Sequence, residues 1–111
     1  MKRGDIYFAN LDPTIGSETK KIRPVLIVSN DANNKVATTV TVIPITSNVK
    51  KIYPFEVLLE KKQTGLTKES KAQCHQIRTI SKLRIRGKKL GVVHAVCMNK
   101  IKSAVELHLG F

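Results

Sequence analysis

Pro24-Val25-Leu26-Ile27-Val28-Ser29 and Thr38-Thr39-Val40-Thr41-Val42-Ile43-Pro44-Ile45 are two apolar, largely β-branched runs separated by the polar connection Asn30-Asp31-Ala32-Asn33-Asn34-Lys35. Branching at Cβ restricts side-chain rotation and suits extended backbone, so the two runs are expected to be neighbouring antiparallel strands. Upstream, Gly4 to Leu11 alternates imperfectly between apolar and polar residues, as a half-buried strand does, and Asp12-Pro13 breaks it. Downstream, Pro54 to Leu59 and Ala72 to Ile80 supply two more strands, and Leu90 to Val93 a short one. Thr14 to Ile22 is polar and charged with no periodicity, which suggests a mobile loop suited to act as a lid. Near the end, Val96, Met98, Ile101, Ala104, Val105 and Leu109 recur at three-four spacing, the mark of one amphipathic helix packed on a sheet. A shorter helical piece is expected at Ser81 to Arg86. Many short strands with one good helix favour a mainly β (α+β) chain, a small closed antiparallel barrel carrying a C-terminal helix, and one domain over residues 1–111.

Charge narrows the partner. Lys and Arg number 20 against 8 Asp and Glu, a formal net charge of +12, and between Lys61 and Val105 Glu69 is the one acidic residue. Such an excess attracts polyanions through salt-sensitive, sequence-independent phosphate contacts. No apolar run approaches the roughly 20 residues that cross a bilayer, and the N-terminus lacks an apolar signal core, so no membrane partner and a cytoplasmic location are expected. Cys74 and Cys97 have no metal-ligand spacing with histidine and read as reduced, packed thiols, so neither metal nor cofactor is expected.

Polar groups gather where apolar strands end: Gly16 to Pro24, Pro44 to Ser47, and Gln76 to Thr79. Arg23 offers a planar guanidinium that is always charged, suited either to a phosphate or to anchoring the loop before its strand. Thr46 and Ser47 offer hydroxyls at a strand end, either for a phosphate or for capping a turn. Gln76 and Arg78, two apart in one strand, would share a face, with Thr79 on the other. Lys20 and Lys50 flank these segments as cations, and Glu18 is a carboxylate in the loop. Tyr53 offers apolar surface near Lys50, whereas Phe55 is expected in the core. His75, with an unperturbed pKa of about 6.5, suits proton transfer near neutrality or contact with a polyanion or solvent.

The order Arg3-Gly4-Asp5-Ile6, Leu11-Asp12-Pro13-Thr14, Gly16-Ser17-Glu18, Arg23-Pro24-Val25-Leu26-Ile27-Val28-Ser29-Asn30, Pro44-Ile45-Thr46-Ser47 and Gln76-Ile77-Arg78-Thr79-Ile80 resembles the MazF/PemK family of toxin endoribonucleases. The resemblance runs from Arg3 nearly to the last residue. It implies an SH3-like (CcdB-like) barrel, a homodimer, and metal-independent cleavage of single-stranded mRNA by 2′-hydroxyl attack, arresting translation and growth. It implies catalytic roles for Arg23 and Thr46. Beside them the residues themselves offer Glu18 and His75 as secondary catalytic candidates, and Ser17, Lys20, Ser47, Lys50, Gln76, Arg78 and Thr79 as RNA-binding positions. The resemblance also implies an acidic, MazE-like antitoxin that occupies the same basic groove. Two departures leave the general base open: Gln73-Cys74-His75-Gln76 stands where some PemK-like members have Arg-Cys-Asp-Gln, and Ser17 where such members can have His. Two other readings remain, a non-catalytic nucleic-acid-binding barrel and a CcdB-like toxin directed at gyrase.

Overall fold

The computed structural model describes residues 1–111 and contains seven strands, three α-helices and two 3-10 turns. The strands are β1 (Asp5–Asn10), β2 (Ile22–Ile27), β3 (Thr39–Thr46), β4 (Glu56–Leu59), β5 (Ser70–Gln73), β6 (Arg78–Ser81) and β7 (Ile85–Val92). The helices are α1 (Asp31–Val36), α2 (Lys61–Thr64) and α3 (Ala95–Leu109). All strand pairs are antiparallel, in the order β4-β5-β3-β2-β1-β7, with β6 also on β3.

β2 and β3 are the centre of the sheet, and their sequences explain why. Leu26, Ile43 and Ile45 face one core, shared with Ile6, Leu59 and Ile101. Val25, Ile27, Val40 and Val42 face a second, shared with Ala9, Leu11 and Ile80. A strand buried on both faces reads as a continuous apolar run rather than an alternation. α3 covers the first core through Ile101 and Ala104, and Gly110, at φ +80°, ends the helix.

Five expectations need correction. The sheet does not close into a barrel: β4 and β7 each pair on one side only. β7 carries Arg86, Lys88 and Lys89, and a charged edge strand resists further pairing. The polar connection after Ser29 contains α1, because the Asn30 side chain accepts a hydrogen bond from the Asn33 N–H (2.8 Å) and caps it. Ala72 to Ile80 is not one strand. Both β5 and β6 pair the same edge of β3, yet from Ile45↔Ala72 to Val42↔Arg78 the register advances three residues on β3 (45 − 42) and six on the partner (78 − 72). The three extra residues wind into the 3-10 turn Cys74–Gln76. The helical piece at Ser81 to Arg86 is only the 3-10 turn Lys82–Arg84, and the short strand at Leu90 is the end of the longer β7. Within β7 the pairing shifts from Phe8↔Arg86 to Ile6↔Gly91, so β7 bulges outward through Gly87, which has φ +73°. No helix is long and apolar enough to cross a membrane.

Candidate active site

The site begins with register. β2 and β3 pair as Ile27↔Val42, Leu26↔Ile43 and Val25↔Pro44. Continued by two residues, this register sets Arg23 opposite Thr46, at the same end of adjacent strands and on the same face. On the far side of β3, Thr46 pairs with Lys71. One row across three strands therefore carries a guanidinium, a hydroxyl and an ammonium.

The three groups are held differently. The Arg23 Nε donates to the Lys20 carbonyl (2.9 Å), while its Nη atoms bond no other residue and it joins no ion pair. A half-buried guanidinium fixed through one nitrogen presents the other two as a fork for an oxyanion. The Thr46 hydroxyl accepts from the Asn48 N–H (3.3 Å), which leaves its proton free to be donated outward. Lys71 turns inward, where its Nζ donates to Glu56 Oε1 (3.0 Å) and to the Lys51 carbonyl (2.7 Å). The same Glu56 oxygen accepts from the Tyr53 N–H (3.0 Å). With side chains 10% and 3% exposed, this buried pair staples the Ser47–Phe55 segment to the sheet beside Thr46. Sequence reasoning missed it. The available signal was a lysine between Ser70 and Ala72 in a strand with little other charge.

The Thr14–Ile22 segment is tied down rather than loose. The Thr19 hydroxyl donates to Gln73 Oε1 (2.9 Å), the Thr19 N–H to Gln76 Oε1 (3.4 Å), and Gln76 Nε2 to the Ser17 carbonyl (3.3 Å). Gln76 thus sits on a 3-10 turn, off any strand, with both ends of its amide engaged by the loop. The Arg78 Nη1 donates to the Leu11 carbonyl (3.3 Å), and Arg84 Nη1 to the carbonyls of Asn10 and Asp12. Arg78 does face the same side of β3 as Thr46, through its pairing with Val42, but it lies about 13 Å along the strand and is committed to the start of the loop. Thr79 faces the opposite side and shares a hydrogen bond with the Thr41 hydroxyl (2.9 Å). Ser17, Glu18, Lys20, Ser47 and Lys50 are exposed. The Glu18 carboxylate folds back onto the Ile15 N–H of its own loop.

His75 is the residue whose surroundings differ most from expectation. Its ring meets Phe55 edge-on at 4.4 Å and lies 6.2 Å from His108, and Phe55 stacks on Tyr53 at 5.4 Å. Phe55 is therefore half-buried in an aromatic string rather than in the core. His75 bonds neither Arg23 nor Thr46, and its Nδ1 is buried without a partner. Burial holds its pKa below the ordinary histidine range, with His108 and Lys71 adding to the effect and Glu56 opposing it, so the ring is neutral at pH 7. Burial also pushes the Cys74 thiol up to about 12, and both cysteines are free. No group of three or more His, Cys, Asp or Glu side chains is placed to hold a metal ion.

Known proteins match this arrangement along its whole length. Residues 2–109 fit the family model of PemK-like, MazF-like toxins of type II toxin-antitoxin systems. Endoribonuclease MazF9 of Mycobacterium tuberculosis is 44% identical, covering 98% of this chain and 96% of that protein. Among solved structures, MazF from Deinococcus radiodurans superposes with a TM-score of 0.86 at 26% identity, covering 100% of this chain and 97% of that one. A mycobacterial endoribonuclease in complex with its cognate antitoxin superposes with a TM-score of 0.80 at 27% identity, covering 100% and 96%. The open antiparallel sheet with its C-terminal helix, and the match that spans it, have one conclusion: the chain belongs to the PemK-like, MazF-like toxins of type II toxin-antitoxin systems.

Proposed function

We propose that this chain is the endoribonuclease of a toxin-antitoxin pair, cutting single-stranded mRNA in the cytoplasm without a metal ion at bonds chosen by flanking sequence. What supports the reading is the register of β2 on β3, which continued by two residues sets Arg23 opposite Thr46, with the Arg23 Nη atoms and the Thr46 proton unengaged. In 2′-hydroxyl attack, the 2′-oxygen gives up its proton and bonds to phosphorus, the bond to the 5′-oxygen breaks, and that oxygen takes a proton from solvent, leaving a cyclic phosphate and a free 5′-hydroxyl. Negative charge builds on the non-bridging oxygens between those events. The Arg23 fork holds that charge, and Thr46 donates a hydrogen bond to one of the same oxygens.

The 2′-proton needs an acceptor. Glu18 is the better placed of the two candidates, because it is exposed on the loop that Gln73 and Gln76 tie beside the strand ends. His75 is neutral and so able to accept, but it is packed against Phe55 and His108. Lys20, Ser17, Ser47 and Lys50, all exposed, serve as contacts for phosphates and bases, and Gln76, whose amide is engaged by the loop, acts on RNA by holding that loop. The protein works as a homodimer and is restrained by an acidic antitoxin whose flexible segment competes with RNA for the basic surface.

Incubating the purified protein with a long RNA in excess EDTA tests this reading. Discrete fragments ending in cyclic phosphate are expected, and a single 2′-deoxy substitution at the cleaved nucleotide should abolish that cut. Cleavage that needs added metal, or that proceeds equally through the 2′-deoxy site, contradicts the mechanism. RNA that is retarded but intact supports a binding protein instead.

A further inference from the structure

Arg23 and Thr46 each have a chain neighbour that leads to a separate place on the molecule. Pro24 and Ser47 point to the opposite face of the sheet, and there both line a cleft of about 370 Å³. Its apolar floor is Phe8, Pro24, Ile45 and Leu90, and its rim carries Ser47, Thr67 and Lys68. The cleft has a structural cause. β7 and α2 approach so closely that a Cβ on Gly91 would lie 2.2 Å from the Thr64 carbonyl oxygen, which only glycine permits. That approach brings the Gly65–Lys68 turn over Phe8 as the far wall.

We infer that this cleft receives a base of the RNA adjacent to the cleaved bond, and so contributes to the choice of cleavage site. The inference rests on the ribonuclease reading above, and four features favour a nucleotide as occupant. Phe8 is 40% exposed and has no aromatic partner, so its ring is open to stacking. Phe8 pairs directly with Arg86 on β7, which puts an exposed guanidinium on the same face for a flanking phosphate. Rim hydroxyls on Ser47 and Thr67 and the Lys68 ammonium supply donors for base edges, and no acidic residue lines the cleft. Finally, the cleft opens on the other face of the sheet through the chain neighbours of Arg23 and Thr46, so a splayed strand that rounds the ends of β2 and β3 from the scissile phosphate brings a neighbouring nucleotide to it.

The test uses the full-length protein carrying Arg23→Ala, so that binding is read without cleavage, and oligonucleotides with one abasic residue placed in turn at each position around the preferred bond. At one flanking position the missing base is expected to weaken binding about tenfold, as loss of one stacked base does. Adding Phe8→Ala, or filling the cleft from its exposed rim with Thr67→Phe, should erase that penalty and leave penalties at other positions in place. In the cleaving protein, the same two substitutions should relax the fragment pattern at that one position. The inference is overturned if both variants keep every abasic penalty. It is equally overturned if they alter only the grip on an acidic peptide inhibitor, which would assign the cleft to the antitoxin. Should the unsubstituted protein leave RNA intact, the ribonuclease reading fails, and should the Arg23→Ala protein cut RNA normally, the catalytic role of Arg23 fails, while in either case the abasic binding data still decide the cleft.

Discussion

The ends of β2 and β3 and the Cys74–Gln76 turn both border the candidate site, yet the chain builds them by different rules. At the strand ends the register of β2 on β3, paired from Ile27↔Val42 to Val25↔Pro44 and continued by two residues, sets which residue opposes which, so Arg23 and Thr46 are placed by the central sheet and its two cores. At the turn, three residues without partners on β3 are wound out of the ladder, and His75 and Gln76 are placed by contacts with Phe55, α3 and the Thr14–Ile22 loop. The comparison teaches that the first region is positioned by backbone and the second by side chains. Substitutions should therefore remove function at the first and adjust geometry at the second.

Arg23→Ala should break that contrast most sharply, lowering the cleavage rate about a thousandfold, the loss expected when one preorganised charge donor is removed from an oxyanion. Arg23→Lys should recover little of it, because an ammonium lacks the fork. Breaking the buried pair with Lys71→Met leaves the Glu56 carboxylate uncompensated and should cost about 3 kcal/mol, read as a lowered denaturant midpoint. Pairing that change with Glu56→Leu should restore much of the stability, but not the anchoring of the Ser47–Phe55 segment. Thr46→Ala should slow cleavage about a hundredfold, and Thr46→Ser should return most of the rate, since only the hydroxyl is required.

At the turn the effects should be smaller. His75→Asn should change the cleavage rate less than about threefold, because a packed ring with a lowered pKa is there as structure. It should also flatten the dependence of stability on pH. A histidine whose folded pKa is depressed binds its proton more readily when unfolded, so its contribution is complete above the ordinary value of about 6.5 and is lost as pH falls through the lower folded value. Wild type should therefore gain more stability than His75→Asn between about pH 5 and about pH 7, as measured by chemical unfolding at each pH. A rate loss at His75 as large as that at Thr46 would erase the distinction between the two regions.

Much of the sheet was legible because β2 and β3 are continuous apolar runs, and the helix at Val96 to Leu109 because its spacing is helical. What escaped was anything decided by comparing strands that are distant in sequence. The division of Ala72 to Ile80 follows from a mismatch with β3 that neither segment displays alone. Two-residue alternation therefore misplaced Gln76 as a strand residue. α1 was hidden by a polar composition that also reads as a loop, although Asn30 and Asn33 carried the cap signal. In the site, Arg23 and Thr46 were legible as strand-end residues supported by a family resemblance. The Lys71–Glu56 staple was not, because its two members lie 15 residues apart and meet only through the pairing of β4 with β5. Arg78 looked free for phosphate for the same reason, its partner Leu11 being 67 residues away.

A double-substitution cycle on Arg23 and Thr46, run in excess EDTA on a single RNA site, tests the central claim most directly. If both groups hold one phosphate in the transition state, the Arg23→Ala/Thr46→Ala protein should be no more than about threefold slower than Arg23→Ala alone. Losses that multiply in full, about a hundredfold beyond the single variant, would mean that the two side chains act independently and would contradict the account.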